Sequence, residues 1–124
     1  MGLDMYANKL LKAQLVDPTA QVDLDIIEPD DIFSDSQIHY WRKHNYLHEW
    51  MKELYLQKGG KDHEFNCDTV RLDLEDLREL ELAVKNNFGR NLLDKSPNTD
   101  DLEFIKKARA AIADEYIVYY DSWW

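Results

Sequence analysis

Both ends of the chain carry the residue pattern of β-strands, whereas the interior carries the pattern of helices. Apolar and polar residues alternate over 3–11, which predicts a strand with one buried face. Near the C-terminus the run at 116–120 reads YIVYY, and its β-branched and aromatic residues favour a strand. The sequence therefore predicts an α+β fold. In it, about three helices pack on a small, mainly antiparallel sheet that is formed with the N- and C-terminal strands.

Three interior segments have apolar residues at helical spacing. The first helix should begin at a serine cap within 34–36 and end near Gln57, where two glycines follow. Asp73 should cap the second helix, and Thr99 or Asp100 should open the third. Two further segments have weaker strand patterns. The alternating segment at 22–26 predicts one strand, and 65–72 predicts a strand pair or one broken strand.

The length and charge of the chain limit its organisation and its partners. Its 124 residues are enough for one domain, covering 1–124, and too few for two. The formal net charge is −10, and 17–35 contain seven carboxylates and no lysine or arginine. Such a segment is usually a solvated face or a mobile loop, although it can also mimic DNA. A net-negative chain repels polyanions, so general binding to nucleic acid or to anionic membranes is not expected.

Nothing in the sequence indicates a membrane span or an oxidising compartment. No apolar run approaches the ~20 residues that a bilayer requires. The chain has one cysteine, so no internal disulfide can form. Both observations predict a protein of the reducing cytoplasm.

Three histidines and the single cysteine form the sharpest chemical pattern. His44 and His48 lie four residues apart in the predicted first helix, and His63 and Cys67 are separated by the same interval. Two such pairs can surround a zinc ion tetrahedrally. If the second pair is extended, however, its members stand more than ~12 Å apart. Because the helix histidines also fit an apolar stripe, we expect no cofactor and keep zinc as the alternative.

The same histidines suggest acid–base or phosphate chemistry together with Arg42 and Lys43. In a helix, however, Arg42 and Lys43 would point away from His44. The sequence also contains no glycine-rich phosphate loop, no nucleophile elbow and no HExxH motif. We therefore assign no catalytic residue, and an enzyme is the less favoured class.

Large aromatic residues are the other distinctive feature. All four tryptophans lie within the predicted first helix or at the C-terminal end. Most of these rings should complete the core, but aromatic side chains also dominate binding hot spots. Together with the local basic pair, the expected binding residues are Tyr46, Trp50, Arg42, Lys43, Trp123 and Trp124.

Several motifs occur together in a recognisable order. They are MGLDMY at 1–6, YWRKHNYLHEWM at 40–51, GG…EFNC at 59–67, DLRELE at 76–81, DDLEFIKKARAAI at 100–112 and VYYDSWW at 118–124. With them the chain resembles a family of small, uncharacterised proteins of tailed bacteriophages and prophages. The resemblance implies a phage origin, the cytoplasm of an infected bacterium and an accessory role, and it implies no reaction. Relatives often carry a Phe- and Gly-rich insertion where this chain has only the short region 89–98.

Two functional hypotheses follow. The first is a phage accessory protein that acts by binding and modulates a host or defence protein. The alternative is a small enzyme or ligand-binding protein centred on His44 and His48, with or without zinc.

Overall fold

A computed structural model of the protein describes residues 3–26, 37–66, 68–86, 88 and 99–123. These residues form four strands and three helices in the order β1 (Asp4–Leu11), β2 (Gln37–Arg42), α1 (Asn45–Gln57), β3 (Thr69–Leu72), α2 (Leu74–Lys85), α3 (Thr99–Ala113) and β4 (Tyr116–Trp123). The predicted α+β fold is confirmed. None of the described helices is long and apolar enough to cross a membrane.

The sheet brings the two ends of the chain together at its centre. Its strand order is β2-β1-β4-β3, and every neighbouring pair is antiparallel. The central pair β1 and β4 is in register from Asp4 opposite Trp123 to Leu11 opposite Tyr116. The alternation that predicted β1 has a simple origin, since Met5 and Ala7 face the helices. Strand β4 has buried residues on both faces, such as Ile117 and Val118, which fits the apolar run at 116–120.

The helices cover one face of the sheet and form the main core with it. Their buried side chains sit at helical spacing, as Leu47 and Met51 do on α1 and as Leu77 and Leu80 do on α2. Together with Phe104 of α3 they belong to one apolar cluster that includes residues of all four strands. On the opposite face, a smaller cluster joins the sheet to the loop after β1 and consists of Leu10, Leu15, Leu24 and Ile117.

The predicted start of the first helix is wrong. The proposed serine caps at 34–36 lie outside the described residues, and the chain from Gln37 to Arg42 is strand β2. The helix begins only at Asn45. His39 and Trp41 point to the core while their neighbours are more exposed, which is the period of a strand.

Two features separate this strand from the helix. Lys43 has a left-handed backbone conformation, with φ of 58°, which interrupts both a strand and a helix. Its N–H donates to the carbonyl oxygen of Leu3 at 2.8 Å, so the turn is held against the start of β1. An aromatic-rich block that fits either period thus becomes a strand where β1 offers a partner and a helix after the turn.

Smaller differences have similar local causes. The expected strand at 22–26 is not formed, and Val22 makes only an isolated bridge to Val70. Asp23 and Phe65 both have φ of 49°, so they interrupt the extended backbone in each segment, and β3 is confined to Thr69–Leu72. By contrast, Asp73 caps α2 as predicted, accepting the N–H of Asp76 at 3.0 Å.

Candidate functional site

The side chains of His44 and His48 have different hydrogen-bond partners. His44 immediately precedes α1, and its Nε2 lies 2.8 Å from Oδ2 of Asp101. The other oxygen of that carboxylate accepts the indole N–H of Trp41 at 3.0 Å. Asp101 is only 5% exposed and lies in the first turn of α3. His44 and Trp41 therefore connect the start of α1 and strand β2 to α3.

His48 is buried beneath the sheet face and bonded to β4. Its Nδ1 lies 2.8 Å from the hydroxyl of Tyr120, and its ring stacks on Phe65 with centroids 5.3 Å apart. Burial lowers the pKa of His48 below its ordinary 6.5 and raises the pKa of Tyr120. At neutral pH the Tyr120 hydroxyl therefore keeps its proton and shares a hydrogen bond with an uncharged His48.

His48 and His63 line one cavity of about 540 Å³, together with Asn45, Lys52 and Glu64. His44 is not part of its lining. Among the described residues, no group of three or more His, Cys, Asp or Glu side chains is placed to hold a metal ion. Cys67 lies outside those residues, so the zinc hypothesis stays a prediction. The cavity offers imidazole, amide, ammonium and carboxylate groups to a small polar molecule.

Tyr46 and Trp50 come together on a second surface, between α1 and α2. With Glu49 and Glu53 they form one face of α1, and they border a cavity of about 410 Å³ whose other wall includes Ala83, Asn86 and Phe88. A second cavity of about 260 Å³ is lined by Trp50, Glu53, Leu54 and Gln57 of α1 and by Asp76 and Glu79 of α2. Because Trp50 and Glu53 border both cavities, we treat the two as one feature, the α1–α2 groove.

The α1–α2 groove has an aromatic end and an acidic rim. Tyr46 is 44% exposed, whereas Trp50 is half-buried and packs on the main core. Asp76 is neutralised by Lys58, whose Nζ lies 2.5 Å from Oδ2 of that carboxylate. Within the described part of the chain, no ion pair involves the other three carboxylates of the groove, which are those of Glu49, Glu53 and Glu79.

The remaining predicted binding residues lie elsewhere. Arg42, Asp4 and Trp123 occupy one row across β2, β1 and β4, on the sheet face opposite the helices. Trp123 is 66% exposed, and Lys43 is exposed beside this row. Trp124 lies outside the described residues. The structure thus divides the predicted binding residues between the α1–α2 groove and the open face of the sheet.

Part of the acidic segment has a structural role. The Tyr55 hydroxyl contacts both carboxylate oxygens of Asp23 at 3.1 Å and accepts the N–H of Asp62 at 3.3 Å. Asp68 lies beside both carboxylates, and no donor among the described residues reaches its buried Oδ2. Burial and the neighbouring Asp62 raise the pKa of Asp68 to about 7. Residues 27–35 of the acidic segment lie outside the described part.

Comparison with family models, curated proteins and solved structures finds no match to this chain. Its function is therefore inferred from the geometry of the described surfaces.

Sequence reasoning missed half of the groove. Glu49 and Glu53 flank Trp50 at helical spacing, so their common face with it was visible in the sequence. Phe88 and Glu79 are more than 25 residues further along the chain and reach the groove only through the packing of α2 beside α1. No local pattern marks such residues.

Proposed function

We propose that the protein acts by binding another protein through the α1–α2 groove. The observation that carries this proposal is the placement of Tyr46 and Trp50, both partly exposed, beside Phe88 in one concave surface. Aromatic rings bury a large area at little cost in side-chain entropy, and they dominate the energetics of protein interfaces. A groove between two helices also offers a rigid shape, which reduces the ordering cost of association.

The setting that we propose is a bacteriophage infection, and the partner a host or defence protein in the bacterial cytoplasm. Support for this comes from the ordered motifs that resemble small phage and prophage proteins, including the block at 40–51 that contains Tyr46 and Trp50. An accessory protein that modulates a larger partner needs a recognition surface and no chemistry of its own.

Replacing Trp50 by alanine should weaken partner binding at least tenfold, because an anchoring aromatic ring contributes more than ~1.4 kcal/mol to a typical interface. The partner is captured from a bacterial lysate with the tagged protein, identified by mass spectrometry and purified. Its Kd is then measured for wild type and variant by calorimetry. The thermal midpoint should fall by only a few degrees, because Trp50 is half-buried.

Leu82→Ala provides the matched control for this experiment. Leu82 is an exposed apolar residue of α2 that lies outside the groove, so its loss should leave the Kd unchanged. An unaltered Kd for both Trp50→Ala and Tyr46→Ala would contradict the groove as the binding surface. A collapsed thermal midpoint of Trp50→Ala would assign that ring to the core instead.

The second candidate is a small-ligand site or an enzyme at the cavity shared by His48 and His63. It is favoured by the convergence of two imidazoles with Lys52 in a space of about 540 Å³, a volume typical of ligand pockets. If this candidate is correct, native mass spectrometry of gently purified protein will detect the mass of a bound small molecule or of one zinc ion. That mass should be lost in His63→Ala. A bare chain mass would favour the binding function.

A further inference from the structure

We infer that the segment of the partner protein that occupies the α1–α2 groove is basic, with arginine or lysine side chains beside an apolar anchor. This inference rests on the proposed function, since it names the chemistry of the partner at the same site. The groove combines two features that select such a segment. It has aromatic rings at one end, and along its rim it has carboxylates that form no ion pair with the described residues.

The residues that line the groove are distributed along the length of both helices. Positions 46, 49, 50, 53 and 57 recur at the spacing of one face of α1. Tyr46 shares its cavity with Phe88, beyond the C-terminal end of α2, whereas Gln57 shares its cavity with Asp76 in the first turn of α2. The two helices therefore run antiparallel along the groove. At ~1.5 Å per residue the groove spans roughly 16 Å, enough for three turns of a bound helix.

The charges along this length determine what can bind. Glu49, Glu53 and Glu79 border the groove without an ion pair to any described residue. Among the described residues, no lysine or arginine lines the groove, and Lys52 of α1 borders the cavity at His48 and His63 together with Glu49. Lys58 is bonded to Asp76, and Arg78 lies 4.0 Å from Glu75. An acidic segment would meet three like charges, whereas a basic one would neutralise them.

Trp50 makes arginine the best match for the centre of the groove. On the face of α1 that lines the groove, Trp50 lies between Glu49 and Glu53. A guanidinium group can stack on an indole and still direct its N–H groups to carboxylates at the edge of the ring. The apolar anchor of the segment would then occupy the end formed by Tyr46, Ala83 and Phe88.

The test uses two fluorescein-labelled peptides of twelve residues with the same leucine and alanine content, one with four arginines and the other with four glutamates. Fluorescence anisotropy with the full chain should detect binding of the arginine peptide only. Its Kd should rise at least threefold between 50 and 300 mM NaCl, because exposed ion pairs are screened by salt. The double variant Glu49→Gln/Glu53→Gln should weaken binding about five- to tenfold, and Trp50→Ala at least tenfold.

The matched control is Glu103→Gln/Asp114→Asn, which removes the same net charge from exposed positions of α3 and the turn after it. It should bind the arginine peptide as wild type does. Equal binding of both peptides, or no effect of Glu49→Gln/Glu53→Gln, would overturn the inference. The proposed function would survive if Trp50→Ala still released the captured partner.

Two further outcomes would distinguish a failure of this inference from a failure of the proposed function. If Trp50→Ala affects neither the peptide nor the captured partner, the groove is not the binding surface and both proposals fail. If light scattering shows a dimer that Trp50→Ala dissociates, a second copy of this chain fills the groove and the basic partner segment is overturned.

Discussion

Asp101→Ala should lower the free energy of unfolding by about 3 kcal/mol, because it leaves the buried indole N–H of Trp41 and the partly buried imidazole of His44 without their acceptor. The carboxylate is 5% exposed and accepts the indole N–H of Trp41 at 3.0 Å, and Nε2 of His44 lies 2.8 Å from its second oxygen. Urea unfolding followed by circular dichroism measures the loss. The thermal midpoint should fall by about 10 °C for a domain of this size.

The neighbouring residue gives a matched control. Asp100 is also an acidic residue in the first turn of α3, and it contacts Nε2 of His39 at 3.0 Å, but its side chain is 63% exposed. Asp100→Ala should therefore cost less than Asp101→Ala, about 1 kcal/mol, because water can replace the exposed carboxylate as the partner of the buried His39 imidazole. Equal losses in both variants would show that the negative charge at the start of α3 matters and that the buried hydrogen bonds of Asp101 do not.

The bonds of Asp101 also bear on the proposed binding surface. Through Trp41 and His44 they hold the end of β2 and the residue before α1 against α3. Tyr46 follows two residues after His44, so the position of the first groove residue depends on this contact. We therefore expect Asp101→Ala to weaken partner binding as well as stability, whereas Trp50→Ala should weaken binding with a small change in stability.

Much of the fold could be predicted because its signals are local. Alternation predicted the N-terminal strand, and β-branched and aromatic residues predicted the C-terminal one. Both are confirmed as strands of the sheet. Asp73 three residues before Asp76 is a capping arrangement that needs no tertiary contact, and the structure shows it. These residues adopt conformations that their immediate neighbours already favour.

The block at 37–51 could not be divided correctly from sequence. Its aromatic residues fit a helical stripe and a strand equally well, and the choice depends on the free edge of β1 and on the left-handed turn at Lys43. The binding surface was predicted only in part for a related reason. Trp50 and Tyr46 stand out by residue type, whereas Phe88 and Glu79 join them only when α2 packs beside α1.

Raising the pH from about 4 to above 7 should progressively remove stabilising free energy at Asp68, and Asp68→Asn should abolish this pH dependence. The ordinary pKa of this carboxyl is 3.8, whereas burial and the adjacent Asp62 raise it to about 7 in the folded protein. Between these values the folded chain keeps a proton that the unfolded chain has released. Raising the pH through this window therefore favours unfolding. Since Asp68 is partly exposed, we expect a change on the order of 1–2 kcal/mol.

Urea unfolding of wild type and Asp68→Asn at pH 5 and pH 8.5 measures this contribution. Asparagine has the shape of a protonated carboxyl and, like it, can donate to Asp62 or Asp23, so the two proteins should be about equally stable at pH 5. At pH 8.5 the wild-type carboxylate is charged beside two others, and no described residue donates to its buried Oδ2. The variant should therefore be the more stable protein. Asp25→Asn, at an exposed position of the acidic segment, should leave the pH dependence of wild type unchanged. A stability difference between wild type and Asp68→Asn that stays constant across this range would mean that Asp68 is charged at both pH values. The three carboxylates would then be too well solvated to share a proton.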